Sequence, residues 1–163
     1  MNRRGYTFIE LLGVIVILGI ILVIAIPSIT DALKTSRIKS EEVFLDKLSD
    51  TIDSYVTMHS NEFTFSYIKD GTKTDNRGSS TVKIYGIETT MQSIINDRLI
   101  TEKDYKDPAF STECNKDAKV EIYRDSDYVY CHRITVEDLN CLSDDYKEVH
   151  SNDYAIDTCI WEE

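Results

Sequence analysis

Glu10 stands at the head of an apolar run, Leu11–Ile26, in which no side chain is polar. An ionisable group near the middle of a membrane helix costs roughly 2.5–3.5 kcal/mol on insertion scales, so this carboxylate calls for a counter-charge. Its chemistry would be electrostatic: pairing with a cation where the medium screens little. A second set is the four cysteines, Cys114, Cys131, Cys141 and Cys159, all in the last third of the chain. An even number in an exported segment reads as two disulfides closing loops, each contributing about 3 kcal/mol through loop-closure entropy. Three pairings are open, and Cys114–Cys131 with Cys141–Cys159 is preferred. His132 and His150 interleave with the cysteines and are zinc-ligand types, but no C-x-x-C pair supports a metal site. No serine or cysteine sits in a nucleophile elbow or glycine-rich loop, and no phosphate-binding motif appears. The chain reads as non-enzymatic, without cofactor or metal.

The element that must position Glu10 is an N-terminal helix. From Leu11 to Ile29 the stretch is roughly 20 residues, long enough to span a bilayer and too long for a signal-peptide core, and no A-x-A cleavage pattern follows. Arg3 and Arg4 precede it and Asp31 follows, which places the N-terminus in the cytoplasm. Gly19 and Pro27 interrupt the run. Proline at 27 removes the hydrogen bond to the Val23 carbonyl and is expected to kink the axis.

The rest of the 163 residues is one small domain of about 130 residues, enough for a modest core. With 18 basic and 29 acidic residues the formal charge is −11, so nucleic acid is not an expected partner. Over residues 31–58, Ile38, Leu45, Leu48, Ile52, Tyr55 and Val56 recur at helical spacing and form one apolar stripe. Residues 6–58 as one helix would reach about 80 Å at 1.5 Å per residue. Beyond it, Phe63–Ile68 and Val82–Tyr85 read as strands, separated by a polar loop over Asp70–Ser80 with Gly71 and Gly78. Thr89 or Thr90 caps a short helix, Met91–Arg98, that turns Met91, Ile94 and Ile95 to one side. Lys119–Tyr123 and Tyr128–Val136 form a hairpin around Arg124–Asp127, and a last strand runs through Tyr154–Trp161. The fold class is α+β: a long helix on a small antiparallel sheet.

Gly5, Tyr6, Thr7, Glu10, the Leu11-Leu12 pair, Gly19 and Pro27 together resemble the N-terminus of type IV pilins and of the pseudopilins of type II secretion and competence systems. Tyr6 stands where phenylalanine is commoner. The likeness covers about the first thirty residues closely; in addition, Met91–Phe110 looks like the short helix and Asp-Pro turn of many pseudopilins and Gram-positive pilins.

The resemblance implies the pilin fold. It divides the chain into a leader (1–5), a transmembrane or filament-core half of the helix (6–30), an amphipathic half (31–58) and a β-rich head (59–163). It also implies cleavage between Gly5 and Tyr6 by prepilin peptidase, N-methylation of Tyr6, and pairing of Glu10 with the Tyr6 amine of a neighbouring subunit. Gly19 to Pro27 would be a segment that unwinds in filaments. Asp125 with Asp127, or Asp144 with Asp145, would be the acids of a calcium loop like that of some pseudopilins; lacking the glycine and distal glutamate of an EF-hand, they read as solvated turns. The implied partners are copies of itself, other pilins, the peptidase and the membrane platform of the pilus machine. The protein would sit in the cytoplasmic membrane before assembly and in an extracellular pilus afterwards, serving adhesion, motility or aggregation, with a specialised or minor role hinted at by its cysteines and tyrosines. A pseudopilin, or an anchored binding domain that never polymerises, are the alternatives.

Overall fold

The computed structural model describes residues 7–75, 78–150 and 153–161. The chain divides into two compact units, Met1–Arg37 and Ile38–Glu163. Helix α1, Phe8–His59, begins in the first and ends in the second.

In the first unit the stretch Leu11–Ile26 is apolar on every side, and among the described residues Phe8, Ile15, Val23 and Ile24 are exposed. By length and composition it is able to cross a membrane. The helix runs unbroken through Pro27, and the Thr30 hydroxyl donates to the Ile26 carbonyl at 3.0 Å.

The second unit is built on the stripe of α1. Leu45, Leu48, Ile52, Tyr55 and Val56 are buried as their spacing predicts, Ile38 packs beside them, and Phe44 and Glu41 join them. Opposite lies a five-stranded antiparallel meander of β1 (Ser66–Asp75), β2 (Gly78–Thr90), β3 (Lys119–Asp125), β4 (Tyr130–Thr135) and β5 (Tyr154–Asp157), with neighbours in sequence also neighbours in space. Val120, Ile122, Ile134 and Ile156 face the helix and close the core with Met91, Ile94 and Ile95 of α2, Met91–Asn96. Helices α3 (Val136–Leu139) and α4 (Asp144–Val149) fill the β4–β5 connection.

Several sequence expectations are corrected. Asp70–Ser80 is not a loop: Gly71 pairs with Val82 and Thr74 with Ser79, so the first hairpin extends through the polar stretch, with residues 76–77 outside the description. A ladder satisfies backbone groups whatever the side chains are, which is why polar composition misleads here. Gly71 is a strand residue, and a Cβ there would stand 2.4 Å from Ile84 Cδ1. The first strand begins at Ser66, leaving Phe63 and Phe65 in the connection, where they pack on the core. Thr90 precedes α2 without a side-chain cap, because the Ala118 and Lys116 carbonyls take the Met91 and Gln92 N–H groups at 3.0 and 2.7 Å. The last strand stops at Asp157. Beyond it Trp161 packs with Ile84 and Cys131 on the sheet face away from the helix.

The disulfide pairing is corrected too: the bonds are Cys114–Cys141 and Cys131–Cys159. The antiparallel β4–β5 pair brings residue 131 beside the segment following β5, with Cα atoms 5.1 Å apart. Cys114 lies next to the chain leaving α3, where the Asn115 N–H donates to the Leu139 carbonyl. Cysteines consecutive along the chain are thus not bonded to each other.

Candidate functional site

The N-terminal site starts from a threonine and a glutamate one helical turn apart. Glu10 Oε2 accepts from both the Thr7 N–H and the Thr7 hydroxyl at 2.8 Å, while the Glu10 N–H points back to Thr7 Oγ1 at 3.4 Å. This reciprocal arrangement is a capping box, and it satisfies N–H groups that the first turn leaves open. The Thr-x-x-Glu signature was present in the sequence as a second meaning of Glu10. The carboxylate is exposed at the start of the apolar stretch, and its Oε2 is bonded to Thr7. Gly5 and Tyr6 lie outside the described residues. Gly19 and Pro27 sit in continuous helix, with open space around Gly19.

The head binds α1 through polar contacts that periodicity did not reveal. Glu41 is fully buried, and its two oxygens accept from the Ser143 N–H at 2.6 Å and the Ser143 hydroxyl at 2.8 Å. Ser143 is also the N-cap of α4, accepting from the Tyr146 N–H at 3.1 Å. Burial raises the Glu41 pKa above its ordinary 4.5, against the Ser143 bonds and with help from the negative charges of Asp107 and Asp145. About two turns further along α1, His132 Nε2 lies 2.9 Å from Ser49 Oγ and Nδ1 lies 3.1 Å from Asp53 Oδ1. Serine, histidine and aspartate in a row have the order of a hydrolytic triad. Here the imidazole is completely enclosed, so no substrate reaches it, and the relay fastens α1 to β4. Burial lowers the His132 pKa below 6.5, and the Asp53 carboxylate opposes that.

The remaining sequence candidates are spent on structure. All four cysteines are in disulfides, and His150 pairs with Glu42 at 3.4 Å. Asp125 is buried and closes its own turn: Oδ1 accepts from the Asp127 and Val129 N–H groups at 2.8 and 2.9 Å, and Oδ2 takes the Lys73 ammonium at 3.0 Å. Asp144 and Asp145 form the first turn of α4. Among the described residues no three His, Cys, Asp or Glu side chains are grouped to hold a metal.

Residues 1–26 match the family model described as the prokaryotic N-terminal methylation motif. No curated protein and no solved structure matches the chain significantly. The chain therefore carries a type IV prepilin-like signal motif ahead of an α+β head, which supports a type IV pilin-like or pseudopilin protein.

Proposed function

We propose that this chain is a prepilin: a structural subunit that waits in the cytoplasmic membrane, loses Met1–Gly5 to prepilin peptidase, and polymerises into a type IV pilus. The observation that carries the reading is the methylation motif over residues 1–26, leading into a helix whose large apolar residues from Phe8 to Ile29 are exposed. Apolar surface of that extent marks a membrane or protein contact. In the filament, neighbouring helices take the place of lipid around it, and the acidic heads face water. Glu10 exchanges its Thr7 bonds for the methylated Tyr6 amine of the next subunit, which fixes the axial register. Cleavage leaves 16 basic against 29 acidic residues, a side-chain charge of −13. The heads then serve adhesion, motility or aggregation.

Intact-mass analysis of sheared surface fibres tests this. A mature chain beginning at methylated Tyr6 is expected. Retention of Met1–Gly5 in cells, or absence of the chain from fibres, overturns it. Glu10→Ala is expected to be cut normally and to give few fibres; a wild-type fibre yield refutes the charge pair.

A further inference from the structure

One row of side chains crosses the sheet without a structural partner for its charge. Tyr67 of β1 stands opposite Tyr85 of β2, Tyr85 opposite Arg124 of β3, and Arg124 opposite Tyr130 of β4. Directly opposed residues share a face, so three tyrosines and one arginine form a line across four strands. The Arg124 guanidinium carbon lies 4.6 Å from the Tyr128 ring centre, 5.1 Å from Phe65 and 5.3 Å from Tyr85.

Rings on several sides hold the guanidinium by cation–π attraction and limit its movement. They do not satisfy its donors. Arg124 Nε is buried with no acceptor, and among the described residues no carboxylate pairs with the side chain, in a chain that has 29 acidic residues. Arg133, on the opposite face, is by contrast bound to Asp157 at 2.9 Å. An arginine left without an anion amid so much acid is a planar fork kept available.

The walls are open as well. Tyr128 is 69% exposed and Tyr67 55% exposed. Tyr128 also sits at φ 63°, a left-handed conformation that is costly for an aromatic residue, and that backbone sets its ring over Arg124.

We propose that Arg124, with Tyr67, Tyr85 and Tyr128, is a binding site for a terminal carboxylated sugar of the uronic-acid class. The sugar carboxylate meets the two terminal Nη groups end-on, since Nε is enclosed, and the C–H face of the pyranose lies on an exposed tyrosine ring. Arginine and carboxylate match as a two-bond pair. Aromatic walls with one well-placed polar group are the usual make-up of a small-ligand site. The surrounding negative charge excludes long polyanions, so the site takes a single acidic end residue rather than a charged polymer. The inference does not depend on whether the chain assembles.

The test is a titration of the full-length protein, disulfides intact, in neutral detergent, followed by saturation-transfer NMR. The probes are methyl β-D-glucuronide, methyl β-D-glucoside and acetate. The glucuronide is expected to bind in the millimolar range, and the other two at least tenfold more weakly. Arg124→Lys keeps the charge but loses the fork, and is expected to weaken glucuronide binding at least tenfold. Tyr128→Gly relieves the backbone and removes the ring; at least a threefold loss is expected, with unfolding unchanged. Glucuronide binding no tighter than glucoside, acetate binding as well as glucuronide, or binding indifferent to both substitutions overturns the proposal.

Discussion

Acidification should loosen the head through His132. The ring is fully enclosed, with Ser49 of α1 at Nε2, Asp53 of α1 and Thr158 at Nδ1, and the Asp157 charge nearby. Its pKa is depressed in the folded chain, so below the ordinary 6.5 the unfolded chain takes up a proton that the folded one does not. Stability is then present above that value and lost as pH falls. If the ring stays neutral down to pH 5, the loss between pH 7 and pH 5 is about 1.9 kcal/mol, which is the ceiling for this one group. Asp53 at 3.1 Å holds the real loss below that ceiling. Asp53→Asn should therefore make the pH dependence steeper. Urea unfolding followed by the fluorescence of Trp161, the one tryptophan and a buried one, measures this. Comparing wild type with His132→Gln removes the contribution of every other titrating group. The stability difference between the two should move against the wild type by up to about 1.9 kcal/mol on going from pH 7 to pH 5. A difference that stays constant, or moves in favour of the wild type, refutes the reasoning.

Further outcomes are expected elsewhere. Leu48 is fully buried at the centre of the helix–sheet contact, so Leu48→Ala should cost about 2–5 kcal/mol in the same unfolding assay, whereas exposed Val43→Ala should cost far less. Cys131 and Cys159 close a 28-residue separation, and replacing both with serine should cost about 3.5 kcal/mol by loop-closure entropy. Trp161 emission should shift to the red as the tail that carries it leaves Ile84; unchanged emission and midpoint would contradict the role given to that bond. Gly5→Ala should leave a longer, uncleaved precursor in membranes on immunoblots, and normal processing would refute the site assignment.

The parts of this fold that were readable in the sequence are those set by local spacing. Leu45, Leu48, Ile52, Tyr55 and Val56 sit three or four residues apart, and any helix gathers them on one side. The Arg124–Asp127 turn was equally local, since Asp125 bonds its own neighbours. What was not readable depends on partners far along the chain. Glu41 meets Ser143 across 102 positions and Ser49 meets His132 across 83. Ser49 and Asp53 stand one turn apart on the helix, and His132 shares a strand face with Tyr130 and Ile134, but only the fold brings the two sets together. The cysteine pairing required knowing that β5 lies beside β4. Of the N-terminal site, the residues were legible, while the bonds from Thr7 to Glu10 follow from a capping box whose Thr-x-x-Glu spacing coincides with the resemblance motif.

A simple meander leaves both of its outer strands with one side unpaired, an invitation for another strand to dock. Here β5 is only four residues long, and β1 carries Lys69, Asp70 and Lys73 along its length. Short length on one border and alternating charge on the other discourage sheet-to-sheet fusion. If copies of the chain come close together, as the proposed filament requires, these borders keep their sheets from joining by runaway β-stacking.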